Sequence, residues 1–480
     1  MGSTTDRASV ASSARGRAVH DPSRGPSRGP GPAWALAVVV AANVLVVLVL
    51  WASNGNPGEL LDGSGPALTS FGRLAGLLAS CFLLLQVLAM ARIPWVERAV
   101  GQDRVARWHR LLGFTSIVLL LTHALAVALG YTLVDRAGFR GELWTIVTTF
   151  PGVLLATAAT ALFVMIALTS MRWARRRLRY ESWHLLHLYA YLGAGLALPH
   201  QLWTGADFLA SPLATAYWWT LYGLALASVL VFRIGRPFVL SRRHRLTVSR
   251  VVRETPDVLS VWVSGPRLAH LPVAAGQFFV LRFRTGPGWT RGHPFSLSAA
   301  PTPEALRFTF GTRGDDGERL AGLTPGTDVL VEGPFGRLVP GVRTRPGIVA
   351  VAGGLGITPL VSLLQDAART PGTAGPQATL VRRTSTAADQ PLAADVAHLV
   401  RTGALRVVDL VGPRSTTGTA WLPEHLGHLP GPAALRELVP DLDACDVYVA
   451  GAAPWAEAVA ADARAAGVPG SALHVERFAW

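Results

Sequence analysis

The sequence is poor in charge and in cysteine. Only 15% of its 480 residues are charged and 50% are hydrophobic, which excludes an intrinsically disordered chain and is typical of a membrane protein. The two cysteines, Cys81 and Cys445, lie far apart without metal-ligand spacing, so neither a disulfide framework nor a cysteine-bound cluster is predicted. A calcium loop of the D-x-D-x-D-G type is also missing, and calcium control is therefore not predicted.

Apolar runs dominate the first half of the chain. Six of them reach or approach the ~20 residues that a helix needs to cross a membrane. The first is too long for the apolar region of a signal peptide and is predicted to stay as a membrane helix. We therefore predict a six-span bundle over residues 32–235, after a disordered cytoplasmic tail over residues 1–31 that is rich in Ser, Arg, Gly and Pro. The six runs are Ala33–Trp51, Leu74–Met90, Leu111–Gly130, Leu143–Met171, Ser182–Gly205 and Phe208–Phe232.

Basic side chains outnumber acidic ones, 44 to 30, and the net charge is +14. Such an excess suits nucleic acid, an anionic membrane surface or phosphorylated cofactors. The arginines are concentrated in the tail and within residues 92–110, 172–179 and 233–243, which all fall on one side of the predicted spans. Because Lys and Arg stay on the cytoplasmic side, we predict a plasma-membrane protein with both termini in the cytoplasm. Its partner is membrane lipid and not nucleic acid.

The sequence pattern changes after residue 240. Short alternating runs separated by Gly and Pro turns predict an antiparallel β-barrel over residues 240–342. Over residues 343–480, apolar strands alternate with Ala-rich helical stretches, which is typical of an α/β domain with a parallel sheet. The predicted fold class is thus a multi-domain membrane protein with a six-helix transmembrane bundle, a β-barrel and an α/β domain.

Four histidines lie in the third and fifth predicted spans. His109 and His123 are 14 residues apart, and His187 and His200 are 13 apart. Both spacings are close to four helical turns, so each pair projects from one face of its helix. The two spans run in the same direction, so His109 can face His187 near the inner side and His123 can face His200 near the outer side. Two facing imidazoles can fill both axial positions of a haem iron, which predicts two b-type haems.

Other interpretations of these histidines exist. A single membrane histidine often only bonds helices together, whereas four in two matched pairs indicate a functional site. His184 lies one turn before His187 and is an alternative inner ligand. The spacing to His200 favours His187, because 16 residues would place His184 on a different face. We expect His184 to be an interfacial residue.

The second half of the chain carries a recognisable motif. Residues 291–298, Arg-Gly-His-Pro-Phe-Ser-Leu-Ser, resemble the flavin-binding signature of the ferric reductase and NADPH oxidase superfamily. The resemblance extends from the third span to the C-terminus and implies an FAD-binding barrel, an NAD(P)-binding α/β domain and two haems on the four histidines. In the motif, an arginine can neutralise the FAD pyrophosphate, the Pro-Phe pair can wall the isoalloxazine, and the first serine can hydrogen-bond near the flavin N5 as the catalytic residue. The predicted FAD contacts are Arg291, His293, Pro294, Phe295, Ser296, Leu297 and Ser298, with Ser296 as the catalytic residue.

A second motif follows an apolar strand and opens a helix. Its glycines let backbone amides approach a pyrophosphate, and it resembles the NAD(P)-binding turn of the same superfamily and not a G-x-G-x-x-G fingerprint. The predicted contacts are Gly353, Gly354, Gly356, Thr358 and Pro359. Farther along, Arg382 or Arg383 can bind a 2′-phosphate, which favours NADPH over NADH. Solvated arginines are the alternative interpretation.

The C-terminus resembles the aromatic terminus of the superfamily. Phe478 or Trp480 can stack on the flavin, and a buried core position is the alternative. The chain departs from the superfamily pattern at two places. Gly317 stands where a hydroxyl usually helps hold the flavin pyrophosphate, and Ala450 stands where a cysteine usually lies near the nicotinamide.

These features predict an oxidoreductase that passes electrons from cytoplasmic NADPH or NADH through FAD and two haems to an acceptor outside. FAD is needed because nicotinamide gives electrons in pairs, whereas haem iron accepts one at a time. A ferric chelate is the first choice of acceptor, and dioxygen, which would yield superoxide, is the alternative. A membrane cytochrome that serves a partner protein is the alternative of another class. The sequence does not indicate which oligomeric state the protein adopts.

Overall fold

The computed structural model describes residues 33–478, apart from residues 137, 176, 179, 315, 370–377 and 417. The predicted tail over residues 1–31 and Trp480 lie outside the described residues. Helices occupy the chain up to residue 244 and strands dominate after it. The helices of the first part are α1 (Ala33–Ser53), α2 (Asn56–Glu59), α3 (Ser64–Met90), α4 (Pro94–Val100), α5 (Gln102–Asp135), α6 (Phe139–Thr149), α7 (Val153–Ser170), α8 (Arg172–Arg175), α9 (Tyr180–Trp203), α10 (Ala206–Leu209), α11 (Pro212–Ser228) and α12 (Arg236–His244), with a π-helical turn (Val229–Gly235) between the last two.

Among the described residues, five helical stretches are long and apolar enough to cross a membrane. This part is therefore a multi-pass membrane region. The residues of the fifth predicted span form α9, which is 24 residues long but is not among the five. Its histidines lower its hydropathy, so the count of six spans stays a prediction. The five stretches are Trp34–Ser53, Ser64–Met90, Arg104–Asp135, Val153–Ser170 and Pro212–His244.

Two of the predicted spans are interrupted. The run Leu143–Met171 divides into α6 and α7 at a proline followed by Gly152, which has a φ of 79°. Proline lacks an amide hydrogen and removes one hydrogen bond of the helix, and the positive φ of Gly152 takes the backbone out of the helical conformation. The run Phe208–Phe232 divides into α10 and α11, because the Ser211 side chain accepts a hydrogen bond from the Ala214 amide and caps a new helix. Each of these two runs still contains a stretch long and apolar enough to cross a membrane, Val153–Ser170 and Pro212–His244.

Helices α3 and α5 pack closely along their length. Glycines on α3 permit this approach. A Cβ on Gly72 would lie 2.8 Å from the Val127 side chain, and a Cβ on Gly76 would lie 2.7 Å from the His123 ring. Small residues of this kind let membrane helices pack backbone to backbone. Helix α5 thus rests on α3, while α9 packs mainly on α7.

The chain after α12 first forms an antiparallel sheet of six strands in the order β4-β3-β6-β1-β2-β5. Its strands are β1 (Leu246–Thr255), β2 (Val258–Ser264), β3 (Phe278–Phe283), β4 (His293–Ser296), β5 (Leu306–Gly311) and β6 (Asp328–Phe335), and a short helix α13 (Gly317–Ala321) precedes β6. Phe279, Leu281 and Phe283 alternate along β3 and are fully buried, as expected when one face of a strand packs on a core. A bridge between Leu297 and Phe308 joins the end of β4 to β5, so the two outer strands of this order meet.

A parallel sheet of five strands follows, in the order β11-β10-β7-β8-β9. Its elements are β7 (Gly347–Gly353), α14 (Ile357–Arg369), β8 (Ala378–Thr384), α15 (Ala393–Arg401), β9 (Arg406–Val411), α16 (Gly431–Leu438), β10 (Cys445–Ala452), α17 (Ala453–Ala465) and β11 (Leu473–Phe478). The inner strands are buried almost throughout, because helices cover both faces of such a sheet. The predicted antiparallel and parallel sheets are both present.

The helical part and the six-stranded sheet are in direct contact. Helix α12 packs along β6, where Arg236 donates to the Gly333 carbonyl at 3.2 Å. The Val331 amide of β6 donates to the Ser241 hydroxyl at 3.0 Å. These contacts hold the sheet against the bundle next to the segment that links α3 to α5.

Candidate functional site

The four membrane histidines meet in two pairs. The ring centroids of His109 and His187 are 5.8 Å apart, and those of His123 and His200 are 6.2 Å apart. The ring planes are inclined by 67° and 49°. Helices α5 and α9 therefore face each other at two levels, in the pairing that helical spacing predicts.

The geometry of both pairs fits a metal ion held between two imidazoles. A metal–nitrogen bond is about 2 Å long, so two rings on one ion have centroids about 6 Å apart. The Nδ1 atom of His123 lies 2.9 Å from the Gly72 carbonyl oxygen, an arrangement in which Nδ1 donates and Nε2 keeps a lone pair for a metal. The Nδ1 atoms of His187 and His200 are buried and have no hydrogen-bond partner among the described residues.

His184 lies near the pair of His109 and His187 but does not belong to it. Its side chain lines a cleft at the end of the bundle that borders the sheets, and its ring is 6.4 Å from the Trp183 ring. The ring that faces His109 is that of His187. The structure therefore places His187, and not His184, opposite His109, while ligation itself stays a prediction.

The cleft extends from the bundle to both sheets and has a volume of about 3580 Å³. Its walls come from one end of the bundle, strand β4, the turn before α13, the Gly-rich turn after β7 and strand β11. A pocket for one small ligand has roughly 300–1,000 Å³, so this cleft has room for more than one. The two motifs that the sequence indicates, at residues 291–298 and 353–359, contribute to the same cleft.

Residues 291–298 divide between the cleft and the interior. Arg291, His293, Pro294, Phe295 and Ser296 line the cleft. Pro294 is exposed and Ser296 is half-buried, which leaves both open to a ligand. The cleft side of this segment thus carries the arginine, the proline and the serine to which the resemblance assigns roles.

Three side chains of the segment are buried in the sheet domain, although Phe295 also borders the cleft. Phe295 is 6% exposed and stacks on Phe310 with centroids 4.2 Å apart. Leu297 and Ser298 are fully buried, and the Ser298 hydroxyl accepts a hydrogen bond from Thr309 at 2.7 Å. Within β4, strand alternation explains why Phe295 is buried while its neighbours Pro294 and Ser296 are more exposed, because successive side chains point to opposite faces. The predicted ligand contacts of Leu297 and Ser298 therefore have no support in their positions.

Asp316 organises the cations beside the cleft, and sequence reasoning missed it. Its carboxylate accepts hydrogen bonds from Arg291 at 2.8 Å and from Arg319 at 3.0 Å, and it lies 3.0 Å from His293 Nε2. Burial acts to raise the pKa of Asp316, but Arg319, His293 and Arg291 together lower it below its ordinary value. Burial is also the main cause that lowers the pKa of His293. With neutral imidazole, the cluster keeps a net positive charge, which suits a pyrophosphate.

The missing hydroxyl at Gly317 has a steric cause. A Cβ at this position would collide with the Thr312 carbonyl oxygen, so the backbone of the turn excludes every side chain. The charged groups of Asp316 and its partners stand next to it. The signal in the sequence was the acidic residue of the Gly-Asp-Asp-Gly turn, three residues before Arg319.

The Gly-rich motif forms the turn between β7 and α14. Gly354 has a φ of 54° and lines the cleft. A Cβ on Gly356 would collide with the Ala450 carbonyl oxygen, so only glycine permits this approach of the turn to β10. Thr358 also lines the cleft, and its hydroxyl donates to the Leu355 carbonyl at 2.9 Å. The turn therefore places the start of α14 beside the cleft, and the N-terminus of a helix favours a bound anion.

Both arginines named for a 2′-phosphate are engaged within the protein. Arg382 donates twice to Asp409, at 2.7 and 3.0 Å, and is 6% exposed. Arg383 donates to the carbonyl oxygens of Thr384 and Leu410, and burial lowers its pKa. The described lining of the cleft includes neither arginine. This arrangement does not support the preference for NADPH that the arginines indicated.

The C-terminal strand contributes an aromatic side chain to the cleft. Phe478, the last residue of β11, lines it, within reach of a ligand there. Ala450 is fully buried in β10, so no side chain from that position enters the cleft.

A cluster of charges joins the bundle to the sheet at the mouth of the cleft. Glu332 of β6, only 4% exposed, lies 3.5 Å from Arg92 of the bundle and 3.2 Å from Arg282 of β3. The Arg92 guanidinium also lies 4.8 Å from the centroid of the Phe335 ring. Burial is the main cause that lowers the pKa of Arg92, and the charge of Glu332 opposes it. Glu332 is therefore the counter-ion that binds the two parts to each other.

Known proteins resemble each part of this arrangement. The family model of the ferric reductase like transmembrane component matches residues 75–198. The ferredoxin–NAD(+) reductase component of the alkene monooxygenase system from Xanthobacter autotrophicus is 32% identical over 244 residues, which cover 49% of this chain and 70% of that protein. The heme-binding subunit MsrQ of protein-methionine-sulfoxide reductase from Brucella melitensis biotype 2 is 27% identical over 192 residues, 40% of this chain and 78% of the subunit. Among solved structures, the ferredoxin reductase in carbazole 1,9a-dioxygenase has a TM-score of 0.39 and 20% identity over 49% of this chain and 69% of its own.

Proposed function

Because the chain belongs to the ferric reductase and NADPH oxidase superfamily, and is therefore an NAD(P)H-dependent oxidoreductase, we propose that it carries electrons across a membrane. The path runs from cytoplasmic NAD(P)H through FAD and two b-type haems to an acceptor on the opposite side. The bundle over residues 32–235 crosses the plasma membrane six times, and both termini of the chain lie in the cytoplasm. Residues 240–342 form a closed FAD barrel, and residues 343–480 bind the nicotinamide cofactor.

The two histidine pairs are the observation that carries this proposal. They stand at two levels of the same two helices, with centroid distances of 5.8 and 6.2 Å that suit an ion between the rings. Bis-histidine ligation fills both axial positions and so favours one-electron transfer over direct binding of a substrate to iron. His109 and His187 hold the inner haem, and His123 and His200 hold the outer one.

The cleft brings the electron donor to the inner end of this path. Arg291 and the cations around Asp316 would hold the FAD pyrophosphate, Pro294 and Phe478 would border its ring system, and Ser296 would donate a hydrogen bond near the flavin N5. The amides of the Gly354 turn receive the nicotinamide cofactor. FAD, when bound, converts a two-electron donation into single electrons.

We favour NADH as the donor. Arg382 is neutralised by Asp409, and Arg383 is directed at backbone carbonyls, so a 2′-phosphate would have to displace existing partners. The name of the Xanthobacter relative, a ferredoxin–NAD(+) reductase component, agrees with this choice.

A ferric chelate is the acceptor that we propose, since the membrane region matches a ferric reductase like component. Dioxygen, with superoxide as product, is the second candidate. A cytochrome that serves a partner protein is the third, and the similarity to a heme-binding subunit favours it. The nicotinamide turn and the flavin cradle in the same chain favour a self-contained enzyme.

Inverted membrane vesicles test the direction and the acceptor together. A ferric chelate is trapped inside the vesicles and NADH is added outside, with and without oxygen. We expect the trapped iron to be reduced, and we expect His123→Ala to abolish the reaction while His398→Ala, an exposed residue of α15, leaves it unchanged. Superoxide without iron reduction would favour the oxidase, and electron delivery to neither acceptor would contradict both.

A further inference from the structure

One imidazole of the inner pair is stacked on a tryptophan. Trp183 lies one helical turn before His187 in α9, and the two ring centroids are 5.1 Å apart with planes inclined by 30°. The Trp183 indole donates a hydrogen bond to the Ser170 hydroxyl at 3.3 Å, which ties α9 to the end of α7. Among the described residues, His187 alone of the four paired histidines has an indole stacked on it.

A cation lies over the same tryptophan. The Arg175 guanidinium carbon is 4.2 Å from the centroid of the Trp183 ring, a distance at which the cation is attracted to the aromatic face. An arginine keeps its charge at every physiological pH. Arg175 also lines the cleft, so this charge lies next to both the cleft and the tryptophan that stacks on His187.

Stacking and charge act differently on a metal held by His187. The indole restricts rotation of the imidazole about its bond to Cβ, because a turned ring would lose the stacked contact. The charge favours the reduced ion, which carries one positive charge fewer than the oxidised ion. At a distance of about 10 Å and an effective dielectric constant of about 20, a unit charge changes such an equilibrium by roughly tenfold.

We propose that Trp183 and Arg175 are positioning residues for the inner haem. Trp183 holds the plane of the His187 imidazole, and Arg175 raises the reduction potential of the iron that His187 ligates. This inference rests on the proposed haem site. A higher reduction potential of the inner haem favours transfer of the first electron from the flavin to that haem. The outer pair lacks such a stack in the described structure.

The test is a redox titration of the purified full chain, combined with electron paramagnetic resonance of the oxidised protein. We expect Arg175→Gln to shift the inner-haem equilibrium toward the oxidised form by about tenfold at a fixed potential, with the outer haem unchanged. Trp183→Leu should alter one of the two low-spin iron signals, and Trp183→Phe should preserve it because a ring remains. Both readouts are independent of turnover.

The chain supplies its own matched control. The Arg177 guanidinium carbon lies 4.4 Å from the centroid of the Trp173 ring, so the same two residue types form the same contact in the segment between α7 and α9. Arg177→Gln should leave both haems unchanged. An equal shift in Arg177→Gln and Arg175→Gln, or no shift in Arg175→Gln, would overturn the proposal. A preparation that binds no haem would instead refute the proposed function, so the two failures are distinguishable. If Trp183→Leu does not fold, the comparison of the two arginine variants still decides.

Discussion

Replacing Glu332 by glutamine should uncouple haem reduction from flavin reduction. Glu332 is the buried counter-ion between Arg92 of the bundle and Arg282 of the sheet. The substitution keeps the size of the side chain and removes its charge, which leaves two arginines facing each other across the junction. The contact between the two parts then weakens, and the flavin moves away from the inner haem.

The magnitude follows from the burial of the carboxylate. Removing one partner of a buried ion pair costs about 3–5 kcal/mol, because the remaining charge stays desolvated without compensation. Glu97 also acts on Arg92 through its charge and offsets part of this cost, so we take the lower end. About 3 kcal/mol corresponds to a change of more than 100-fold in an equilibrium constant, and we expect haem reduction to slow by at least about tenfold.

Stopped-flow absorbance measures the two steps separately after anaerobic mixing with NADH. In Glu332→Gln the flavin should be reduced at the unchanged rate, because the Gly-rich turn and the flavin cradle are intact, and the haem bands should follow slowly. Glu318→Gln, at an exposed position of α13, makes the same chemical change without a buried partner and should behave as the parent protein. If both steps slow alike, or if neither changes, Glu332 does not couple the two parts.

Three further predictions concern the cleft. Burial lowers the pKa of His293, so the unfolded state takes up a proton at higher pH than the folded state, and the flavin part should lose stability as pH falls below about 6.5. In a thermal-unfolding series, His293→Gln should flatten this pH dependence, and an unchanged profile would contradict the prediction. Gly317→Ser restores the hydroxyl of the superfamily but places a Cβ on a backbone carbonyl, so purified protein should contain less flavin, and a gain in flavin affinity would refute the steric argument. Asp409→Asn removes the carboxylate that pairs with Arg382. It should raise kcat/KM for NADPH relative to NADH by several-fold, about 1 kcal/mol, and an unchanged ratio would show that Arg382 does not reach the 2′-phosphate.

The histidine pairing and the two sheets could be predicted because they depend on local periodicity. A helix rises and turns by constant amounts, so spacings of 14 and 13 residues are enough to align His109 with His187 and His123 with His200. The alternation of β3 and the apolar runs of β7 and β10 similarly predict a half-buried and a buried strand.

Contacts between distant segments could not be predicted in this way. Arg382 contacts Asp409 because β8 and β9 are parallel in a register that places these two residues side by side. The sequence pattern of either strand alone does not predict that register. The ion pair between Arg92 and Glu332 joins the helical part to the six-stranded sheet, far apart in the sequence. The sequence shows that residue 316 is an aspartate, but it does not show its three partners, which come together only when β4 and α13 are folded.

The visible spectrum of the purified chain tests the central claim most directly. We predict a bis-histidine b-type spectrum with two haems per chain, fully reduced by NADH without oxygen, and the loss of one haem in His200→Ala. A chain that binds FAD and is reduced by NADH but contains no haem would contradict transmembrane electron transfer and leave a flavin reductase attached to a membrane.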